Sequence, residues 1–101
     1  MNYKDLAARP PLGWNSWDCY GAAVREDEIR ANADYMAANL KAFGWEYVVV
    51  DIQWYEAGAV SSKYRKYVPL EMDEWSRLVP AVNRFPSVPR ASTARTRTNS
   101  R

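Results

Sequence analysis

The sequence predicts an α/β fold, and three observations carry that reading. Apolar residues recur at helical spacing from Glu26 to Phe43, a run of β-branched and aromatic residues follows at Tyr47 to Ile52, and a shorter apolar stretch at Leu12 to Trp14 precedes both. Strand, loop, helix and strand in that order make one βαβ unit, the crossover that parallel strands require. A loop or hairpin and then a disordered basic tail complete the expected architecture.

Leu12, Gly13 and Trp14 form the short first strand. In the helix that follows, Ile29, Ala33, Met36, Leu40 and Phe43 stand three or four residues apart and so share one face. Glu26, Asp27 and Glu28 fall in its first turn and Lys41 in its last, each matched to the dipole there, and Gly44 is placed to end it. From Glu26 to Gly44 that is about five turns. Tyr47 to Ile52 lacks alternation, the pattern of a strand covered on both faces in a parallel sheet. One helix and one partner strand cannot cover Val48, Val49 and Val50 on both sides, so this strand calls for neighbours. Residues 53–86, rich in Tyr, Ser, Lys and Pro, do not supply them; their apolar pieces, Tyr67 to Leu70 and Trp75 to Val82, read as a hairpin or irregular loop. In residues 88–101 the nonpolar side chains are Val88, Pro89, Ala91 and Ala94 among Arg, Thr and Ser, a composition expected to be disordered.

Five Trp and seven Tyr are many for a chain of 101 residues, and such rings serve either a core or a surface that meets sugars or partners. With no histidine and one cysteine, Cys19, the chain has no intramolecular disulfide, no Cys/His zinc centre and no histidine base. Acid–base chemistry falls to Asp, Glu, Lys or Tyr, and neither a metal nor a cofactor is expected. Cys19, with nothing beside it to activate a thiolate, reads as a small buried residue. The net charge of +2 is uneven: residues 1–86 carry 10 basic and 12 acidic side chains, whereas residues 87–101 carry four Arg and no acid. Lacking Lys and interleaved rings, that tail is not read as a nucleic-acid arm. The opening MNYKDLAARPP lacks the apolar centre of a signal peptide, and no run of roughly eighteen apolar residues occurs, so a cytoplasmic protein without a membrane partner is expected. The composition leaves the oligomeric state open.

Where parallel strands end, side chains face a common crevice. The first strand delivers Trp14, Asn15 and Trp17 there, and the second delivers Asp51, Gln53, Trp54 and Glu56. Flat rings beside carboxylates and amides suit a sugar, whose C–H face stacks on a ring while its hydroxyls take directional hydrogen bonds. Trp14, after Gly13, leans toward packing; Trp17, between Ser16 and Asp18, is balanced between core and site. Asp51 is the strongest functional candidate, because a carboxylate within Val-Val-Val-Asp-Ile is costly to bury without a partner or a purpose. Glu56 and Asp18 read as solvated loop residues, and the groups Glu26 to Glu28 and Glu71, Asp73, Glu74 as a helix start and a polar loop. A glycosidase needs two carboxyl groups from different strands, roughly 5 Å apart for retention and more for inversion. Two strands leave that set incomplete, and no catalytic residue is assigned.

The segments PPLGWNSWDCYG and FGWEYVVVDIQW, separated by one helix, resemble the start of the family 27 glycoside hydrolases, the melibiase-type α-galactosidases, and NRFPS is similar to the family's segment before its second barrel helix. The resemblance runs from about Pro10 to Ser87. It implies that the chain is the N-terminal part of a (β/α)8 TIM barrel hydrolysing terminal α-D-galactosides with retention, by an aspartate nucleophile and an aspartate acid/base. It further implies that Trp17 lines the sugar pocket and Asp51 hydrogen-bonds sugar hydroxyls; Gln53 and Trp54, from the end of the second strand, complete the expected substrate-binding set. The family's nucleophile stands in a later Lys-x-Asp segment and its acid/base later still; neither segment is present, so the carry-over covers binding residues alone. Many members have Asp-Asp-x-Trp where this chain has Asp51-Ile52-Gln53-Trp54. Ile52 removes one sugar-binding carboxylate, leaves Gln53 and Glu56 as substitutes, and opens the specificity to a related pyranoside such as β-L-arabinopyranose or to an isomalto-type glucan.

The expected organisation is therefore a partial catalytic domain at residues 1–87 and a tail at residues 88–101 that reads as the product of a frameshift or misplaced gene end. On its own the chain is expected to be inactive and poorly stable. A rival reading is a non-catalytic carbohydrate-binding or interaction module that uses Trp17 and Trp54 as its platform.

Overall fold

The computed structural model describes residues 2–88 and 95–98. A 3-10 turn at Tyr3–Asp5 leads to strand β1, Leu12–Asn15, then the single-turn helix α1, Trp17–Tyr20, and a 3-10 turn at Gly21–Ala23. Helix α2 spans Glu26–Asn39, a 3-10 turn follows at Lys41–Phe43, and strand β2 spans Trp45–Val49. Two further strands are β3, Pro69–Met72, and β4, Arg95–Thr98.

β1 and β2 are parallel, with Gly13 opposite Tyr47, Trp14 opposite Val48 and Asn15 opposite Val49, so the expected βαβ unit is present. Gly13 permits this approach: a Cβ there would run into the Tyr47 carbonyl oxygen and stand 2.7 Å from the Tyr47 Cβ. α2 opens at Glu26 as its acidic first turn predicts, and the Glu28 carboxylate accepts the Arg25 backbone N–H at 2.9 Å. It closes earlier than the periodicity suggests. Leu40, at φ −121°, leaves the helix after donating to the Met36 carbonyl, the chain tightens into the 3-10 turn, and Gly44 at φ 93° redirects it into β2. Phe43, read as part of the apolar face, is consequently exposed.

β2 lies two to three residues upstream of its expected position. The ladder can continue only while β1 runs beside it, and β1 ends at Asn15, whose side chain turns to accept the Trp17 N–H at 2.8 Å. Val50, Asp51 and Ile52 thus lie beyond the strand, half-buried. α2 covers one face of β2, with Ala33 and Met36 toward Val48. On the opposite face Tyr47 is 55% and Val49 45% exposed, so the covering expected for both faces is present on one.

The core lies at the start of α2: Val24, Ala81 and Phe85 form the buried cluster, with Tyr20, Ile29, Val50 and Trp54 packed on it. Residues 79–85 reach it after a turn that fits the hairpin expected here. Met72 bridges Leu78, and both oxygens of the Asp73 carboxylate hold the turn: Oδ1 accepts the Trp75 and Arg77 backbone N–H groups at 2.9 Å each, Oδ2 the Arg77 Nε at 2.7 Å. Burial raises the Asp73 pKa, but these hydrogen bonds and the Arg77 charge outweigh it and hold the carboxyl below its usual value. In the tail, Arg95–Thr98 pairs antiparallel with the open edge of β3. The remainder of the tail, 89–94 and 99–101, lies outside the described residues. Among the described residues no helix is long and apolar enough to cross a membrane.

Candidate functional site

The C-terminal ends of β1 and β2 are joined through Ser16, which is fully buried. Its backbone N–H donates to the Val49 carbonyl at 3.0 Å, and its Oγ accepts the Asp51 N–H at 3.0 Å. Trp17 follows it directly, started into α1 by the Asn15 side chain. Trp17 and Asp51, both half-buried, are thereby tied to one residue at one sheet edge. The sequence pattern placed Asp51 within a strand; it lies instead two residues past the end of β2, half-buried rather than in the core. Trp14 packs edge-on against Tyr20, with ring centroids 6.1 Å apart.

Gln53 and Trp54 face a different environment. Gln53 is 1% exposed at φ 60°, in the left-handed region, and both ends of its amide are engaged: Nε2 donates to the Arg65 carbonyl at 2.6 Å and Oε1 accepts the Arg65 N–H at 3.0 Å. Trp54 lies against the core, lines an apolar groove of about 250 Å³ with Val50, Pro80, Phe85 and Val88, and stacks edge-on with Tyr55 at 5.4 Å. Its carbonyl accepts the Ala81 N–H at 3.0 Å. Burial and the neighbouring Tyr64 push the Tyr55 hydroxyl above its usual pKa.

Glu56, read as solvated, is buried: its carboxylate accepts Arg65 Nη1 at 2.9 Å and the Gly58 N–H at 2.9 Å. A loop carboxylate is spared water here because Arg65 supplies both charge and hydrogen bond. Cys19, expected in the core, is exposed, since α1 is a single turn and places it on the outer side. Residue type and spacing did not single out Ser16, Arg65 or Arg84. Arg84 is the most consequential: 4% exposed, it donates to the carbonyls of Val24, Gln53 and Glu56 at 2.9, 2.7 and 2.8 Å. Burial lowers its pKa, while the Glu56 carboxylate opposes that shift and Arg25 adds to it. The NRFPS motif was the signal that contained it. Among the described residues no group of three or more Cys, Asp or Glu side chains could hold a metal ion.

No protein-family model matches the chain. Individual proteins do. The α-galactosidase A of Cellvibrio japonicus is 44% identical over 56 residues, 54% of this chain and 14% of that protein. An α-galactosidase of Cyamopsis tetragonoloba is 34% identical over 83 residues, 81% of this chain and 17% of that one. Among solved structures, a family 27 β-L-arabinopyranosidase from Geobacillus stearothermophilus, in complex with arabinose, superposes with a TM-score of 0.79 at 72% identity, covering 86% of this chain and 20% of that chain. Over this stretch the chain matches glycoside hydrolase family 27 in sequence and structure. It spans a fifth or less of the length of these relatives. The small α/β unit with its parallel strand pair is consistent with the opening of a family 27 catalytic domain.

Proposed function

We propose that residues 1–87 are the sugar-binding opening of a (β/α)8 glycoside hydrolase, with Trp17 supplying the stacking face and Asp51 the hydroxyl acceptor. The observation that carries this reading is the Ser16 link, which ties the segments bearing both residues to one strand-end edge, where α/β folds place ligands. Gln53 and Trp54 act beneath the sugar: Gln53 through the loop it clamps, Trp54 as the packed floor of the same segment.

Terminal α-D-galactosides and β-L-arabinopyranosides are the substrate class. β-L-Arabinopyranose matches the α-D-galactopyranose ring without its exocyclic hydroxymethyl group. Ile52, in place of a carboxylate, offers no acceptor for an additional hydroxyl, so the pentopyranoside is the better fit; the 72% identity to a β-L-arabinopyranosidase agrees with this. The nucleophile and acid/base that family resemblance places on later strands are not among these residues, so turnover calls for the strands that carry them.

The test is a chimera in which residues 1–87 replace the matching segment of the Geobacillus enzyme, assayed on aryl β-L-arabinopyranoside and aryl α-D-galactoside. The parent chimera prefers the arabinopyranoside, and Asp51→Asn lowers kcat/KM about 100-fold, the scale of losing charge-assisted hydrogen bonds to sugar hydroxyls. An Asp51→Asn chimera with unchanged kcat/KM removes Asp51 from the site. Turnover by the isolated chain that survives controls overturns the claim that its catalytic groups lie elsewhere.

A further inference from the structure

We propose that Arg84 is a positioning residue for the sugar-binding end of β2, acting from beneath the segment that carries Asp51 and Trp54. The proposal deepens the glycosidase reading and rests on it. Between Asp51 and Trp54 stand only Ile52 and Gln53, so the direction in which Gln53 is held determines how the chain leaves the strand. Gln53 is held in a conformation that few non-glycine residues adopt, φ 60°. A non-glycine residue stays in that region only when its surroundings over-determine it.

Those surroundings centre on Arg84. Its Nη2 donates to the Gln53 carbonyl at 2.7 Å and to the Glu56 carbonyl at 2.8 Å, gripping both ends of the 53–56 turn from one nitrogen. Its Nη1 donates to the Val24 carbonyl at 2.9 Å, which joins that turn to the segment entering α2. The Arg84 backbone is fixed in the same contact, because its own carbonyl accepts the Glu26 N–H at 2.9 Å. One guanidinium thus connects the exit of β2 to the entry of α2. Its Nε is buried without a hydrogen-bond partner among the described residues, so the fork is aligned to the loop carbonyls rather than to its own full satisfaction. A lysine offers a point charge without that planar fork and cannot hold the same set of carbonyls in one geometry.

The Gln53 amide and the Glu56 carboxylate carry this placement onward to Arg65. Arg84 therefore orders two layers: the turn that bears the sugar-binding residues, and through it the loop segment at Arg65. Its contribution is to sugar affinity, since it touches no reacting atom.

The experiment uses the same chimera with Arg84→Lys, and with Arg84→Gln as a second variant should the first fail to fold. On the aryl β-L-arabinopyranoside, KM rises about tenfold or more with kcat within threefold, the signature of lost binding rather than lost chemistry. A structural role alone would lower melting temperature and yield while leaving the KM of the folded fraction unchanged, and that result overturns the proposal. Failure of both variants to fold assigns Arg84 to stability and overturns it as well. An inactive parent chimera refutes the glycosidase reading itself, and this proposal with it, whereas an active parent with unaltered Arg84 variants refutes the positioning role alone.

Discussion

Replacing Ser16 with alanine perturbs the join between the two strand ends and little else. The side chain is fully buried, and its hydroxyl accepts the Asp51 N–H at 3.0 Å. Ser16→Ala keeps the Ser16 N–H to Val49 carbonyl bond, which is backbone, and deletes that acceptor. The vacated volume is one oxygen atom, so the cost comes from the stranded Asp51 N–H: about 1–3 kcal/mol for a donor left unsatisfied away from water. If that cost falls on the fold, the urea midpoint of the chimera drops. If it is relieved by Asp51 shifting toward solvent, the fold is spared and sugar affinity falls instead, by roughly 5- to 150-fold at 1.4 kcal/mol per decade. The assay is urea unfolding paired with steady-state kinetics on the aryl β-L-arabinopyranoside, and the two losses together account for the 1–3 kcal/mol of the stranded donor. A Ser16→Ala chimera with both midpoint and KM unchanged refutes the reasoning that Ser16 fixes Asp51.

Three further outcomes follow from the geometry. Gly21→Ala lowers stability by more than the roughly 1–3 kcal/mol of forcing alanine into an unfavourable backbone region, because Gly21 sits at φ 60° and a Cβ would also run into the Ser61 carbonyl; chemical denaturation of the chimera reads this. Asp73, with its pKa depressed by the Arg77 and Trp75 hydrogen bonds, contributes stability that is present above the unfolded carboxyl value of 3.8 and is lost as pH falls through the lower folded value. Asp73→Asn should accordingly flatten the stability profile of the chimera at the acid end, and an unchanged acid limb counts against the turn. Ile52→Asp restores a carboxylate and should shift the kcat/KM ratio toward the aryl α-D-galactoside; an unmoved ratio removes Ile52 from the specificity argument.

The parts of the fold that were legible in the sequence are those set by local chemistry. The start of α2 at Glu26 follows from its acidic turn, and Gly44 marks the redirection because its left-handed φ of 93° suits glycine. The position of β2 was legible only roughly. Its β-branched run extends to Ile52, but a strand needs a partner, and β1 ends opposite Val49 because Asn15 leaves the ladder to start α1. The side chains that organise the site were the least visible. Gln53, Glu56, Arg65 and Arg84 meet across nine to thirty-one positions of separation in a segment without periodicity, and composition cannot say which loop carbonyl a guanidinium will reach. Glu56 illustrates the difficulty: a loop glutamate is ordinarily solvated, and only the arrival of Arg65 makes its burial affordable. The exposed Tyr47 and Val49, in contrast, depart from the pattern of the valine run, since a strand patterned for cover on two faces has it on one among the described residues.

The most direct test of the central claim is a crystal structure of the chimera with L-arabinose bound. The account predicts the pyranose at the C-terminal ends of β1 and β2, its C–H face on Trp17 and its hydroxyls within hydrogen-bond distance of Asp51. A sugar bound in the active chimera without contact to either residue would contradict it.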